Sequence, residues 1–495
     1  MDPGGAAIGR LRRWSDAFHE WTLRAVQTGR HAERMMAMRW MWPAAAAGVL
    51  AAGVQAAGAA GGVAGDLIVF NDNGAWCWYQ DERVIVDKAS GTLLAASVAA
   101  GEGVDGSERN GDVDVASYDL ASGRTSRFVL HHHLLTQDDH NTPALLIRPD
   151  GRYLAVYSRH NSEKLTYWRV SVRPHDASDW LPERTFDWAP HLATADASDN
   201  VTYSNLFYLS AESRVYDFAR AVNRDPSILV SADQGDSWSY GGKLLTEPRL
   251  GYVNGYAKYA SNGIDRVDFI TTEHHPRDFN NSIYHGYVRN GRLHRSDGTL
   301  AHGNVFDGGG ARQAELTKVF SAGSVWNGET MTHAWTMDLH VDASGRPAGL
   351  FSCRANDEPD NTNFSDHRFF YARFDGSGWR VHQLAKAGAC LWRAEQDYTG
   401  LAALNPGNLD EVYASSTIDP RDGAALKVHE IFKGVTSDGG ATWKWTPITW
   451  DSPVDNLRPT VAIWDAGNTA LLWFRGTMSR SQHYNSAIVG IITRH

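Results

Sequence analysis

From residue 66 onward the chain alternates short apolar runs with turns rich in Gly, Asn, Asp and Ser, and long helical periodicity is nearly absent. Seven such turns recur roughly 50 to 80 residues apart: DKASG (87–91), RPDGR (148–152), SAESR (210–214), SNGIDR (261–266), DASGR (342–346), NPGNLD (405–410) and WDAGN (464–468). An apolar run follows each, from TLLAASVA after the first to TALLWFRG after the last. Short apolar runs bounded by turn residues read as strands. A repeat of this length that holds only strands predicts propeller blades. One blade alone is a sheet that cannot bury both faces. Seven around an axis bury them and leave only short edges. The expected fold is therefore all-β, a seven-bladed β-propeller. Its last runs, TALLWFRG (469–476) and SAIVGIITR (486–494), should close the ring against the first, DLIVF (66–70).

Two further segments, SADQGDSW (231–238) and TSDGGATW (436–443), fit the pattern Ser/Thr-x-Asp-x-Gly-x-Ser/Thr-Trp. This is the Asp-box turn of sialidase-like blades. The Asp caps turn amides, the Gly takes a positive φ and the Trp packs beneath. RFDGSGW (373–379) is a degenerate third. These turns speak for the fold and carry no chemistry. A pair of β-sandwiches is the rival architecture, but it predicts two unrelated halves and no sevenfold turn pattern. No linker or low-complexity stretch interrupts 66–495, so this region is read as a single propeller domain.

Residues 1–65 differ in character and are read as an N-terminal extension with a signal peptide. Arg39 provides a positive start, an Ala/Val/Leu-rich stretch follows Pro43, and Ala57-Gly58-Ala59 offers a cleavage site. The apolar stretch is broken by Gly and Gln55, which suits export to the periplasm or beyond better than a membrane anchor. The net charge is −10, and residues 1–65 carry 7 Lys/Arg against 4 Asp/Glu, leaving −13 on the rest. An acidic body argues against nucleic acid and membrane as partners. An anionic substrate would need local Arg and His to hold it. Three cysteines do not make a disulfide framework. They are read as buried free thiols, with a Cys353–Cys390 bridge as the alternative. A monomer is the expected state.

The densest candidate chemistry lies in DDHNTPALLIRPDGRYLAVYSRH (138–160). His140 and His160 end two apolar runs joined by the 148–152 turn. Antiparallel strands joined by a tight turn bring their far ends together, so the two imidazoles should share one rim of a sheet. TYSNLFYLSAESRVYDFAR (202–220) repeats the layout with Tyr203 and Arg220 at its ends. Two His, a Tyr and an Arg on one rim make a proton-transfer set with an anion clamp. EHHPRDFNNSIYHGYV (273–288) adds polar density at the same rim, with His275 and Arg277 as expected substrate contacts. Each residue also has a plain structural reading: a turn-capping histidine, a packing tyrosine, a surface ion pair. His131–His132–His133 is read as a strand with alternating exposure rather than a metal site. Cys353, His367 and Cys390 are zinc-binding types in adjacent segments, but their spacing matches no compact motif. A structural zinc or calcium stays open, and the chemistry itself requires no cofactor.

GAWCWYQDERVIVD (74–87), DDHNTPALL (138–146), YSRH (157–160), TYSN (202–205) and HPRDFNNSIYHGYV (275–288) resemble the BNR-4-type seven-bladed propeller proteins over nearly all of 66–495. That family includes ulvan lyases, lyases acting at rhamnose–glucuronate linkages and propeller α-L-rhamnosidases. The resemblance implies a polysaccharide lyase acting on an acidic, uronate-containing glycan that also carries rhamnose. Arg220, helped by His160, would neutralise the uronate carboxylate. His140 and Tyr203 would be base and acid, in an order set by the uronate. Asn141 and Arg159 would bind substrate in support of them. A rhamnosidase-type hydrolase is the nearest rival; its histidine is expected near the domain start, and no His lies between 66 and 130. A non-catalytic carbohydrate-binding propeller is the second rival, but it need not keep His, His, Tyr and Arg together.

Overall fold

The computed structural model describes residues 61–192, 200–248, 250, 255–355 and 364–494. The expected extension and export signal lie, up to residue 60, outside the described residues. The described residues, from Gly61 on, all fall in one compact unit. No helix among the described residues is long and apolar enough to cross a membrane.

Seven antiparallel sheets follow one another along the chain. Their first strands are Val84–Asp87, Ala144–Ile147, Leu206–Leu209, Ala257–Ser261, Glu329–Val341, Ala402–Asn405 and Asp455–Val461. All seven predicted turns join the first strand of a blade to its second. The last blade is completed from the other end of the chain, where Ile68–Asn71 pairs with His483–Arg494, Ile68 opposite Gly490. Ring closure thus uses the strands expected for it. The fold begins slightly earlier than residue 66, since Gly62–Val63 pairs with Thr449–Trp450.

Apolar residues alternate along these strands so that both faces of each blade are buried against its neighbours. Phe207, Phe218, Tyr259 and Phe269 fill the gap between blades 3 and 4. Leu94, Val115, Leu145 and Ala155 fill that between blades 1 and 2. Val461, Trp473, Tyr413 and Ile431 fill that between blades 6 and 7. In both segments read as Asp-box turns the carboxylate closes the turn. Asp233 accepts from the Ser237 backbone N at 2.8 Å and its hydroxyl at 2.6 Å. Asp438 does the same with Thr442, at 2.9 and 2.6 Å. Gly235, at φ +91, could not carry a Cβ, which would meet Leu154 at 2.6 Å. Cys77 and Cys353 are buried free thiols, and Cys390 is a half-buried one. Of the histidine triple, only His131 lies in a strand; His132 and His133 sit on the exposed turn after it, so their exposure does not alternate.

The segment 76–83 crosses the axis and fills it. Trp78 Nε1 donates to Thr336 O at 3.0 Å, and the Tyr79 hydroxyl to the same oxygen at 2.9 Å. Gln80 Nε2 donates to His140 O at 2.8 Å. Arg83 Nη2 reaches Thr460 Oγ1 at 3.1 Å, and Lys258 Nζ reaches Trp78 O at 2.6 Å and Asp81 Oδ2 at 2.5 Å. One short stretch is therefore bonded to blades 2, 4, 5 and 7. It forms the floor on which the rim residues stand.

Candidate active site

His140 lies in a short 3₁₀ turn, Asp139–Asn141, just before the first strand of blade 2. His160 follows the second strand, Tyr153–Ser158. Ala144 pairs with Val156, which carries the two chain ends toward each other. The imidazoles stack, with centroids 4.1 Å apart and planes 9° apart. Blade 3 repeats the device. Thr202 and Arg220 exchange backbone hydrogen bonds at 3.0 and 2.9 Å, placing Tyr203 beside Arg220. Tyr203 takes φ +69, a left-handed conformation unusual for a tyrosine. The turn is held there by buried Asp217, which accepts from Asn205 N at 2.9 Å and Ser204 Oγ at 3.3 Å. The Arg220 guanidinium carbon lies 4.7 Å from the Tyr203 ring centre and 5.3 Å from that of Tyr256. The Tyr203 ring lies 5.7 Å from that of His140.

His140, His160, Tyr203, Arg220 and His275 all line one cavity of about 80 Å³, with Tyr256, Trp392, Glu395, Tyr398 and the hairpin tip Arg480–Ser481–Gln482. Two larger hollows, one of about 760 Å³ that carries a single histidine, His175, beside Arg148 and Tyr208, and one of about 910 Å³ against blade 6, lack the paired imidazoles. Chemistry rather than volume selects the small cavity.

Three of the expected contacts stand behind this wall. Asn141 is fully buried, and its Oδ1 accepts from His160 N at 2.7 Å, so it braces the loop that carries His160. Arg159 is half-buried outside the cavity lining. Arg277 is held back by Glu395, at 2.9 Å, and by Asp278. Cys353, His367 and Cys390 do not converge. Among the described residues, the groups with ligand atoms within 4.8 Å of one another are Cys77–Asp139–His140 and Asp138–His140–His160. Those carboxylates are already engaged by protonated partners. Asp139 Oδ2 pairs with Arg458 at 2.6 Å. Asp138 Oδ1 accepts from His140 Nδ1 at 2.9 Å, and its Oδ2 accepts from His160 Nδ1 at 2.8 Å. This is an acid–base network, and its donor set does not fit a metal centre.

Both rings spend Nδ1 on Asp138, which turns each Nε2 the other way, toward the cavity. Asp139 Oδ1 lies 2.7 Å from His140 Nδ1 but not in a hydrogen-bonding direction, so it acts there as a charge. Burial would raise the Asp138 carboxyl; the two imidazoles win and hold it far below the usual carboxylate range. Burial likewise opposes charge on His140. Cys77, Tyr203, Asp139 and Asp138 push its proton affinity well above the ordinary histidine value. His160 goes the other way, lowered by burial and by the cations His140 and Arg220. His275 is pushed well down by burial and by Arg277 and Arg220. Burial and Tyr256 keep the Tyr203 phenol protonated. The wall therefore presents two cations, Arg220 and His140, a neutral imidazole, His160, and a neutral phenol.

Sequence reasoning missed the wall formed by Trp392, Glu395 and Tyr398. Its signal was the aromatic and charged density of LWRAEQDY (391–398), like that of 273–288. Arg480–Gln482 gave none.

Residues 78–387, more than half of the chain, match the BNR repeat-containing family, and the chain belongs to it. Among solved structures it is similar to a PL25 ulvan lyase bound to -[GlcA(1-4)Rha3S]-, at 14% identity and a TM-score of 0.60 over 85% of this chain and 94% of that one. A second structure of a PL25 ulvan lyase matches at 15% identity and a TM-score of 0.59 over the same shares. These likenesses establish the shared propeller fold. No protein of curated function matches the chain.

Proposed function

We propose that this chain is a polysaccharide lyase that cleaves a uronate-containing glycan by β-elimination, with a glucuronate–rhamnose polymer such as ulvan as the first substrate class to try. One observation carries the reading: His140, His160, Tyr203 and Arg220 line a single cavity in complementary charge states. Elimination needs the C6 carboxylate neutralised, the C5 proton removed and the leaving O4 protonated. Arg220 suits the first task, since its fork pairs with a carboxylate and stays charged. Cationic His140 assists it.

The neutral ring is His160, so His160 takes the base role and His140 the supporting cation. This exchanges the histidine roles expected from the resemblance. The C5–H bond breaks and its proton passes to His160 Nε2. The electron pair forms the C4–C5 double bond, the C4–O4 bond breaks, and the Tyr203 hydroxyl gives its proton to O4. Glycoside hydrolases of the common types need two carboxyl groups flanking the bond. Among the described residues only Glu395 brings one to the cavity lining.

The test is to incubate the purified chain with ulvan and other uronate glycans and follow ultraviolet absorbance. The conjugated double bond absorbs there, whereas hydrolysis products do not. Release of reducing sugar without that absorbance would replace the lyase reading with a hydrolase.

A further inference from the structure

We propose that Asp138 is the positioning residue of this site. Its two oxygens each fix one imidazole through Nδ1, so that the stacked rings turn both Nε2 atoms to the cavity and share one positive charge between them, while Gln482 holds Asp138 from the ring-closing hairpin. The assignment of the rings to a base and a cation rests on the lyase reading; the positioning itself does not.

Four hydrogen bonds converge on this one carboxylate. Besides the two imidazoles, Oδ1 accepts from His140 N at 3.1 Å and Oδ2 from Gln482 Nε2 at 2.9 Å. Asp138 is 3 % exposed and sits beside the cavity without lining it, so it acts through the rings. Imidazoles 4.1 Å apart and almost parallel repel each other if both are charged. One shared anion between their Nδ1 atoms favours a single added proton. The hairpin is itself tied down, because Asp139 N donates to Ser481 O at 3.0 Å. The other charged or titratable groups around the pair are Asp139 with Arg458, Cys77, Tyr203, Arg220, Tyr256, His275, Glu395, Tyr398, Arg480 and Tyr484. Asp138 is the one that touches both rings.

Two variants of the full chain test this. Asp138→Asn keeps the shape and removes the anion. Histidine NMR, with the two signals assigned from His140→Gln and His160→Gln, reads ring titration whether or not the chain is a lyase. The expected result is a fall of about one pH unit or more in the His140 titration. On an active substrate, kcat should drop ~10²-fold or more with little change in KM, and the alkaline limb of the pH–rate profile should move to lower pH. Gln482→Ala lies on the exposed tip and should fold normally. It withdraws a donor from Asp138, so the ring titrations should shift upward, opposite in sign to the Asp138→Asn effect. Unchanged titrations in Gln482→Ala, or in a folded Asp138→Asn, would overturn the proposal. Shifts of the expected signs in a protein that cleaves no uronate glycan would sustain it and defeat the lyase reading.

Discussion

Asp217 gives the sharpest quantitative handle on the site. It lies in the second strand of blade 3, is fully buried, and accepts from Asn205 N and Ser204 Oγ. No Lys, Arg or His pairs with it among the described residues. Burial drives its carboxyl from 3.8 up to about 7. The folded chain therefore keeps a proton that the unfolded chain releases. Stability from this group is full below pH 3.8, is lost as pH rises through the gap, and levels off above about pH 7. At 1.36 kcal/mol per pH unit, the whole loss is about 4 kcal/mol. Asp217→Asn removes the titration while keeping an acceptor for Asn205 N. The variant should match the parent near pH 4, exceed it by about 2 kcal/mol near pH 5.5, and by up to about 4 kcal/mol at pH 8. Urea unfolding at those three pH values measures the differences directly. Tyr203 should stay in place, so activity should persist. A variant destabilised equally at every pH would refute the reasoning, because it would mean that Asp217 folds as the anion.

Tyr203→Phe loses one hydroxyl and should cost ~10²–10⁴ in kcat with an unchanged unfolding midpoint, measured by steady-state kinetics beside thermal melts. Gly235→Ala forces a Cβ to 2.6 Å from Leu154 at φ +91 and should destabilise by about 1–3 kcal/mol in denaturant titration. Lys258→Met strands the Asp81 carboxylate on the axis, where it keeps only Arg83 at 2.9 Å. The expected cost is about 3–5 kcal/mol in the same assay, with activity falling as the floor under Tyr203 loosens.

Much of this was legible because strand–turn–strand units carry local geometry. The run from His140 to His160 fixes its own pairing through two apolar strands and one tight turn, and the run from Tyr203 to Arg220 does the same. Residue types at the ends of such units are placed by the chain itself. Burial is not placed that way. Asn141 follows His140 directly, yet it faces inward because the 3₁₀ turn rolls it away from the cavity. Arg277 reads as a free cation in sequence, and only the fold brings Glu395 to it from another blade. Gln482 meets Asp138 across 344 residues, a distance no local pattern spans. The role of 76–83 was hidden for a different reason. Its aromatic density matched the resemblance, but a segment that runs across the axis has no periodicity to announce it.

That axial segment has a consequence for when the cavity can exist at all. Residues near the start of the propeller hold their position through bonds to later blades, among them blades 2, 3, 4, 5 and 7, and the cavity's last wall is the hairpin tip of blade 7. No subset of blades can assemble the pocket. A chain still emerging during synthesis, or one clipped before its final hairpin, has the rim residues without the rim. The ring thus acts as an interlock: reactive groups meet only after the last blade has been made and the ring has closed upon itself.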